Sequence, residues 1–175
     1  MLKTERLRIR RFHESDLEDF ELLIRDKMSS KYAPYDIPWP VDNFGDILVC
    51  LINDDAWHAV ELIEKSKVIG FVVASRTEDE TIRDLGFTIH SAYQNKGYAY
   101  EASCAFMDYF IKECGIKKFT SGTADCNKPS VALLNKLGFT KVQSLETSFA
   151  NDSQGNPITF LASIYERCLL YTSPS

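Results

Sequence analysis

LGFTI at residues 85–89 and QNKGYA at residues 94–99 form the stretch that decides the fold. An apolar run, a polar turn and an amphipathic stretch up to Cys114 predict a strand, a turn and a helix. A helix start offers unpaired backbone N–H groups and a positive dipole end, so it can bind an anion such as pyrophosphate. Gly97 would let the chain approach that ligand closely. An ordinary strand-to-helix turn explains the same pattern, because such turns are common.

The length of 175 residues and the apolar content of 45% predict one globular domain, which we assign to residues 1–167. Residues 168–175 (CLLYTSPS) follow a predicted last strand and resemble translated linker sequence. We expect this tail to be non-native or disordered.

The formal net charge is −5, and no block of five like charges occurs. This balance disfavours nucleic acid and an anionic membrane surface as partners, and it suits a cationic substrate. The N-terminus lacks an apolar leader, and no window reaches the length of a membrane-spanning helix. We therefore expect a cytoplasmic protein.

The five cysteines are odd in number and form no C-x-x-C pair, which predicts reduced and mostly buried thiols. The three histidines are scattered, without the spacing of a metal-ligand set. We predict no metal.

Hydrophobic periodicity predicts alternating strands and helices along the chain. A capping box at Ser15 and Glu18 predicts the start of the first helix, whose apolar stripe is Leu17, Phe20, Leu23 and Ile24. Residues 41–57 receive no element. The predicted strands are Arg6–Phe12, His58–Glu64, Val68–Ser75, Asp84–His90, Lys118–Ala124, Phe139–Ser144 and Ile158–Glu166, and the later helices are Ala99–Cys114 and Asn127–Leu137.

The loop Tyr32–Pro40 is rich in proline and aromatic residues. It is either a binding loop or a packed connection, since loops often place aromatic rings against the core. Consecutive strands joined by short turns predict antiparallel pairing, whereas the strand, helix and strand from Asp84 to Ala124 predict a right-handed parallel crossover. The predicted fold class is α/β (α+β), with a mixed, mostly antiparallel sheet flanked by helices.

Three patterns occur in order along the chain. They are TERLRIR at 4–10, GFTI with QNKGYA and Glu101-Ala102 in the middle, and Asn127-x-x-Ser130 leading to KLGF at 136–139. Together they resemble the GNAT superfamily of acyl-CoA-dependent N-acyltransferases, in particular the branch of bacterial ribosomal-protein-alanine N-acetyltransferases. The resemblance covers residues 2–166.

The resemblance implies acetyl-CoA as co-substrate and a sheet whose central parallel strands splay apart to admit it. Backbone groups of Phe87, Thr88 and Ile89 would pair with the pantetheine arm like an added strand, and the Ile89 N–H would support the oxyanion. Asn127 would contact pantetheine, and Ser130 would lie near the sulfur. The pyrophosphate loop would comprise Gln94, Asn95, Lys96, Gly97, Tyr98, Ala99 and Tyr100, with the amides from Asn95 onwards holding the phosphates.

Many relatives protonate the leaving thiolate with a tyrosine at the position that Leu134 occupies here. Ser130 is the replacement we favour, and the alternative is a helix residue that only satisfies backbone donors. For the general base, Asp84 is the first candidate and Glu101 the second; a solvated charge or a water chain are the alternatives. Cys126 is a candidate nucleophile, but no activating histidine lies nearby in sequence.

The function we predict is transfer of an acetyl group to a primary amine, by direct attack in a ternary complex. The acceptor is either a protein N-terminus or a small amine, and an open groove would favour a peptide. Alternatives of other classes are a non-catalytic acyl-CoA-binding module and an interaction domain without cofactor. We expect a monomer or a homodimer.

Overall fold

The computed structural model describes residues 1–169. Its helices are α1 (Leu17–Met28), α2 (Phe44–Ile52), α3 (Tyr98–Cys114) and α4 (Lys128–Lys136). Its strands are β1 (Leu2–Lys3), β2 (Leu7–Arg10), β3 (Trp57–Leu62), β4 (Lys67–Arg76), β5 (Ile82–Ile89), β6 (Lys118–Ala124), β7 (Thr140–Asn151) and β8 (Pro157–Cys168).

All strands join one eight-stranded sheet in the order β1-β2-β3-β4-β5-β6-β8-β7. Every neighbouring pair is antiparallel except β5 and β6, which are parallel and are connected by α3. The predicted fold class is therefore confirmed, including the single parallel pair at the centre of the sheet.

Apolar side chains cover both faces of the sheet. On one face, Phe106 of α3 and Leu134 of α4 pack with Leu85 and Phe119 of the central strands. On the other face, Phe20 of α1 and other residues of α1 and α2 pack against β3 and β4. Phe106 and Leu134 are completely buried, and burial of side chains of this size stabilises the fold by about 1.5–3 kcal/mol each.

The start of α1 differs from the prediction. A short 3₁₀ turn covers Glu14–Asp16, and α1 begins at Leu17 after Asp16, so the predicted capping box of Ser15 with Glu18 is wrong. The Asp16 carboxylate accepts hydrogen bonds from the His13 backbone N–H and from the Arg10 guanidinium at 2.8–2.9 Å. This buried ion pair fixes the entry into the helix, and it leaves Leu17 39% exposed.

Three further features differ from the sequence prediction. The helix α2 lies in a region without an assigned element. Strand β7 extends well beyond its predicted end at Ser144, β8 differs from its predicted bounds by only one or two residues, and the two strands meet at a turn where Gly155 has φ 83°. Strand β8 includes Cys168, and the Leu169 N–H donates to the Lys117 carbonyl, so the sheet continues past residue 167. Residues 170–175 of the predicted tail lie outside the described residues.

The prediction of mostly buried cysteines is wrong. Four of the five are exposed and Cys104 is half-buried. Within residues 1–169, no helix combines the length and apolar character needed to cross a membrane.

Candidate active site

A cleft opens between the two central strands. Strands β5 and β6 pair only where Ile82–Asp84 faces Lys118–Thr120. Beyond that point β5 stays paired with β4 as far as Ile89, and β6 stays paired with β8 as far as Ala124. The carboxyl-terminal halves of the two parallel strands therefore face each other without being paired by backbone hydrogen bonds.

The hydrogen bonds of β5 show which backbone groups face the cleft. The Leu85 carbonyl accepts from Ser121 Oγ on β6 and the Ile89 carbonyl accepts from Gln94 Nε2, both at 2.8 Å. The His90 N–H instead donates to the Ile69 carbonyl of β4. Because backbone groups alternate along a strand, those of Phe87 and Ile89 face the cleft and those of Thr88 face β4. The expectation that all three residues present their backbone to a ligand therefore fails for Thr88.

The donor loop, Gln94–Gly97, connects this strand to α3 and is exposed throughout. Asn95 and Gly97 have positive φ angles of 61° and 83°. In residues 1–169, the N–H groups of Asn95, Lys96 and Gly97 have no partner among the hydrogen bonds of turns, loops and caps. The first N–H groups of α3 also lack intrahelical acceptors. An anion such as pyrophosphate fits this set of free amides.

Lysine side chains add positive charge beside the donor loop. The Nζ atoms of Lys65 and Lys96 lie 5.3 Å and 5.9 Å from the centroid of the Tyr93 ring. Neither lysine joins an ion pair in the part of the chain that the structure describes. Both charges are therefore available to an anionic ligand.

The opposite wall of the cleft carries Asn127 and Ser130, which follow β6 at the start of α4. Asn127 caps the helix, because its Oδ1 accepts from the Ser130 N–H at 3.3 Å. Its Nδ2 and the hydroxyl of Ser130 form no hydrogen bond within residues 1–169. Ser130 is therefore not the residue that satisfies the helix donors, and its hydroxyl is available for chemistry.

Asp84 occupies the root of the cleft, at the last paired position of β5 and β6. Its Oδ1 accepts a hydrogen bond of 2.7 Å from Thr120 Oγ1. Burial raises the pKa of the Asp84 carboxyl above its ordinary value, against the smaller lowering effect of the Thr120 hydrogen bond. A carboxylate with a raised pKa is a better proton acceptor near neutral pH.

Sequence comparison places this geometry in a known family. Residues 6–140 match the family model described as an acetyltransferase (GNAT) domain. The chain belongs to the GNAT acetyltransferase family. It is therefore an acyl-CoA-dependent acetyltransferase that uses acetyl-CoA as co-substrate and transfers acetyl groups to amines.

Individual relatives agree with this assignment. The chain is 27% identical over 137 residues to an uncharacterised N-acetyltransferase, YnaD, of Bacillus subtilis, which covers 78% of this chain and 81% of that protein. The ribosomal-protein-S5-alanine acetyltransferase of Vibrio fischeri has a similar fold, with a TM-score of 0.79, 17% identity and coverage of 99% and 98%. Spermidine N-acetyltransferase of Vibrio cholerae, solved with CoA and spermine, gives a TM-score of 0.75, 20% identity and coverage of 95% and 97%. At such identities these structures show the fold alone.

Glu101, the second candidate for the base of this acetyltransferase, is occupied by other contacts. Its carboxylate accepts hydrogen bonds from Thr4 Oγ1 and from the Arg6 backbone and guanidinium. Burial alone would raise the pKa of Glu101, but these hydrogen bonds outweigh it and hold the pKa below its ordinary value. Glu101 is a structural ion-pair partner and not a free base.

At the position of the missing tyrosine, Leu134 is fully buried in the core. Its side chain cannot take part in acid catalysis, because it carries no ionisable group. Cys126 is exposed at the end of β6. Residues 1–169 contain no group of three or more histidine, cysteine or acidic side chains that could hold a metal ion.

An open surface, here called the acceptor face, lies beside the cleft on the side of the sheet that carries α1 and α2. Asp84 and Thr120 share this side because their side chains are bonded to each other. Strand alternation adds Gly86, Thr88 and Gly122. None of these residues is buried. The α1–α2 part of the core covers β3 and β4, so the central strands remain accessible here.

The aromatic loop between α1 and α2 has two roles. The Trp39 ring belongs to the core, where it packs against Trp57 and Phe71 with ring centroids 5.5 Å and 5.7 Å away. Tyr35 instead contacts Phe160 of β8 at 5.4 Å between ring centroids. The loop is therefore a packed connection at Trp39, while Tyr35 reaches the hairpin beside the acceptor face.

Thr120 and Arg6 were not identified from the sequence as site residues. Thr120 is separated by 36 positions from Asp84, and no local pattern joins them. Arg6 belongs to the TERLRIR pattern on which the family resemblance partly rests. That pattern gives no indication that Arg6 contacts the donor loop.

Proposed function

We propose that this protein acetylates a primary amine by direct attack on acetyl-CoA in a ternary complex, with Asp84 as the general base. The observation that carries the proposal is the splayed pair β5–β6, with a donor loop of free amides at the open end and the half-buried Asp84 carboxylate at the root. Acetyl-CoA supplies an activated thioester, so positioning and charge stabilisation can provide much of the rate.

The donor side of the proposal uses backbone groups. Phe87 and Ile89 would pair with the pantetheine arm, and the amides from Asn95 to Tyr100 would hold the pyrophosphate. Free donors, positive φ angles and exposure support this assignment. The N–H groups of Phe87 and Ile89 are the cleft-facing donors of this strand that could support the oxyanion.

Asp84 would accept the amine proton through water. Ile89 lies five positions after Asp84 along the extended strand, or about 16 Å away at the usual rise. A carboxylate at that distance cannot touch an amine that attacks near Ile89. A chain of several ordered waters along the acceptor face would connect the two groups, and the half-exposed Thr88 and Gly86 leave room for it.

Ser130 would assist departure of the thiolate. Its hydroxyl has no partner within residues 1–169, and Ser130 lies in the first turn of α4, which follows β6. Leu134 leaves the usual tyrosine position without an acid. A hydroxyl that donates to sulfur lowers the energy of the developing negative charge.

For the acceptor, the openness of the acceptor face favours an extended chain over an enclosed metabolite. Its central residues are half-exposed or exposed, and the net charge of −5 suits a positively charged terminus. We propose the α-amine of a peptide N-terminus as the acceptor; the Vibrio fischeri protein of similar fold is named as an acetyltransferase of a ribosomal-protein alanine. No observation favours the non-catalytic alternative.

The test is a thiol-release assay with acetyl-CoA and two acceptor sets. One set contains peptides with free N-termini, and the other contains spermidine, spermine and single amino acids. The proposal predicts a higher kcat/KM for peptides, with the acetyl group on the α-amine by mass spectrometry. Peptides blocked at the N-terminus are the control and should be inert. Turnover of the small amines alone would contradict the acceptor assignment, and no turnover in either set would contradict the activity.

A further inference from the structure

The N-terminal segment is tied to the first turn of α3 by a single carboxylate. Glu101 Oε2 accepts from Thr4 Oγ1 at 2.5 Å and from the Arg6 N–H at 3.1 Å, while Oε1 accepts from Arg6 Nε at 2.8 Å. These partners are more than ninety positions apart in sequence. The contact therefore joins the start of the chain to the helix that opens beside the donor loop.

The Arg6 guanidinium also lies against the end of that loop and the first residue of α3. Its Nη1 donates to the Lys96 carbonyl at 2.9 Å. Its Nη2 would lie 3.3 Å from a Cβ atom built on Gly97, and its Cζ lies 4.3 Å from the centroid of the Tyr98 ring. One side chain thus holds the loop and the start of α3 by a hydrogen bond and by cation–π stacking, and it leaves little room for a side chain at position 97.

The bond to the Lys96 carbonyl fixes the direction of the next amide. The peptide unit is planar and trans, so the Lys96 C=O and the Gly97 N–H point in opposite directions. With the carbonyl held by Arg6, the Gly97 N–H is aimed away from Arg6. The Gly97 N–H has no partner among the turn, loop and cap bonds of residues 1–169. The Gly97 N–H is therefore already oriented to donate to a ligand on the side away from Arg6.

Arg6 also balances an unfavourable charge. Glu101 lies in the first turn of α3, where its negative charge stabilises the helix dipole but opposes a bound phosphate. Arg6 pairs with this carboxylate at 2.8 Å. Without Arg6, a half-buried negative charge would remain next to the free amides.

We infer that Arg6 is a positioning residue for acetyl-CoA, acting through the orientation of the donor loop and the neutralisation of Glu101. The inference rests on the proposed role of the loop as the pyrophosphate site. It assigns to the turn between β1 and β2 a role in donor affinity, and it predicts that the acetyl-transfer step itself does not depend on Arg6.

The test compares Arg6→Gln with Arg8→Gln, which breaks an ion pair to Glu61 on the adjacent strand and lies away from the loop. Calorimetry gives Kd for CoA, steady-state kinetics gives KM for acetyl-CoA and kcat, and circular dichroism gives the unfolding temperature. For Arg6→Gln we expect Kd and KM to rise by about tenfold or more. The value of kcat at saturating acetyl-CoA should stay within about twofold of wild type, and Arg8→Gln should leave Kd and KM unchanged.

Two further variants separate the possible outcomes. Arg6→Gln/Glu101→Gln should bind CoA more tightly than Arg6→Gln alone, because the unpaired negative charge is removed. If Arg6→Gln does not fold, Arg6→Lys retains a positive charge but cannot reach both Lys96 and Glu101 in the same way, and it should still raise KM. Unchanged CoA binding in the soluble variant would overturn the inference while leaving the proposed function intact. If wild type itself binds no CoA, the proposed function fails as well.

Discussion

The two halves of the active site differ in how their parts are held. The donor half consists of the end of β5, the donor loop and the first turn of α3, which follow one another in the chain and are braced by Arg6. The acceptor half combines Asp84 and Thr120 of two strands with Tyr35 of a loop and Phe160 of the last hairpin. Under the proposed function, a contiguous segment would bind the common co-substrate, whereas the surface that would select the acceptor is assembled from distant segments. This division lets the acceptor change while the donor site is retained.

Replacement of the loop glycine should have the largest effect on the donor half. Gly97→Glu adds bulk and negative charge at a position with φ 83°, so we expect loss of measurable CoA binding by calorimetry. Gly155→Glu is the matched control, since it has the same φ of 83° in an open turn of the β7–β8 hairpin. Equal loss of binding in both variants would mean that backbone strain, and not the site, causes the effect.

In the acceptor half, Asp84→Asn should lower kcat by about tenfold, less than a base in direct contact would contribute, because Asp84 would accept the proton through water. Binding of CoA should be retained. Asp55→Asn, which alters an exposed pair with Arg76, should be close to wild type. An Asp84→Asn enzyme with normal kcat would remove Asp84 as the base.

The pH profile of kcat/KM should respond to the neighbour of Asp84. Ionised Asp84 is the active form, so activity is lost as pH falls through its pKa, which burial raises. The Thr120 hydrogen bond stabilises the ionised form and lowers that pKa. Thr120→Val should therefore move the acidic limb to higher pH, and Asp84→Asn should abolish the limb. An unmoved limb in Thr120→Val would show that another group controls it.

Variants of Ser130 and Asn127 should have different effects: the first should lower kcat and the second should lower the folding stability. Ser130→Ala should lower kcat by roughly tenfold with an unchanged unfolding temperature, because its hydroxyl supports no bond within residues 1–169. Asn127→Ala removes the cap of α4 and should cost about 1 kcal/mol of folding free energy. Urea unfolding measures the second effect. Unchanged kcat in Ser130→Ala would exclude it as the acid.

The smallest effect is expected at the aromatic contact of the acceptor half. Tyr35→Ala removes the ring that packs on Phe160, and we expect KM for a peptide acceptor to rise about threefold, with KM for acetyl-CoA unchanged. Tyr109→Ala, at an aromatic contact on α3, is the control for general loosening. A matching rise in KM for acetyl-CoA would show that the two halves are not independent.

The difference between the contiguous donor half and the assembled acceptor half also explains which features could be predicted from the sequence. The donor loop, α3 and the parallel pair follow from local patterns in one segment, and they were predicted with nearly correct bounds. The helix α2 was missed because only nine residues form it, after a proline-rich loop. Its apolar residues Phe44, Leu48 and Leu51 are spaced for a helix, but most of its stability comes from packing on α1 and the sheet.

Side-chain partners distant in sequence could not be predicted. Ser15 and Glu18 matched a capping pattern, but the longer-range bonds of Asp16 to Arg10 determined the start of α1. The sequence suggested that Glu101 was an available carboxylate, but in the structure Thr4 and Arg6 of the turn between β1 and β2 donate hydrogen bonds to it. Thr88 lay within the correct strand, yet only the pairing of β5 with β4 shows that its backbone faces away from the cleft.

Backbone hydrogen exchange of the wild-type protein, measured with and without CoA, tests the central claim most directly. We predict slower exchange at the amides of Phe87 and Ile89 and from Asn95 to Tyr100 when CoA is bound, because these are the free donors of the donor half. The turn Asn151–Asn156 of the β7–β8 hairpin should be unchanged. Protection confined to other segments, or none at saturating CoA, would contradict the account.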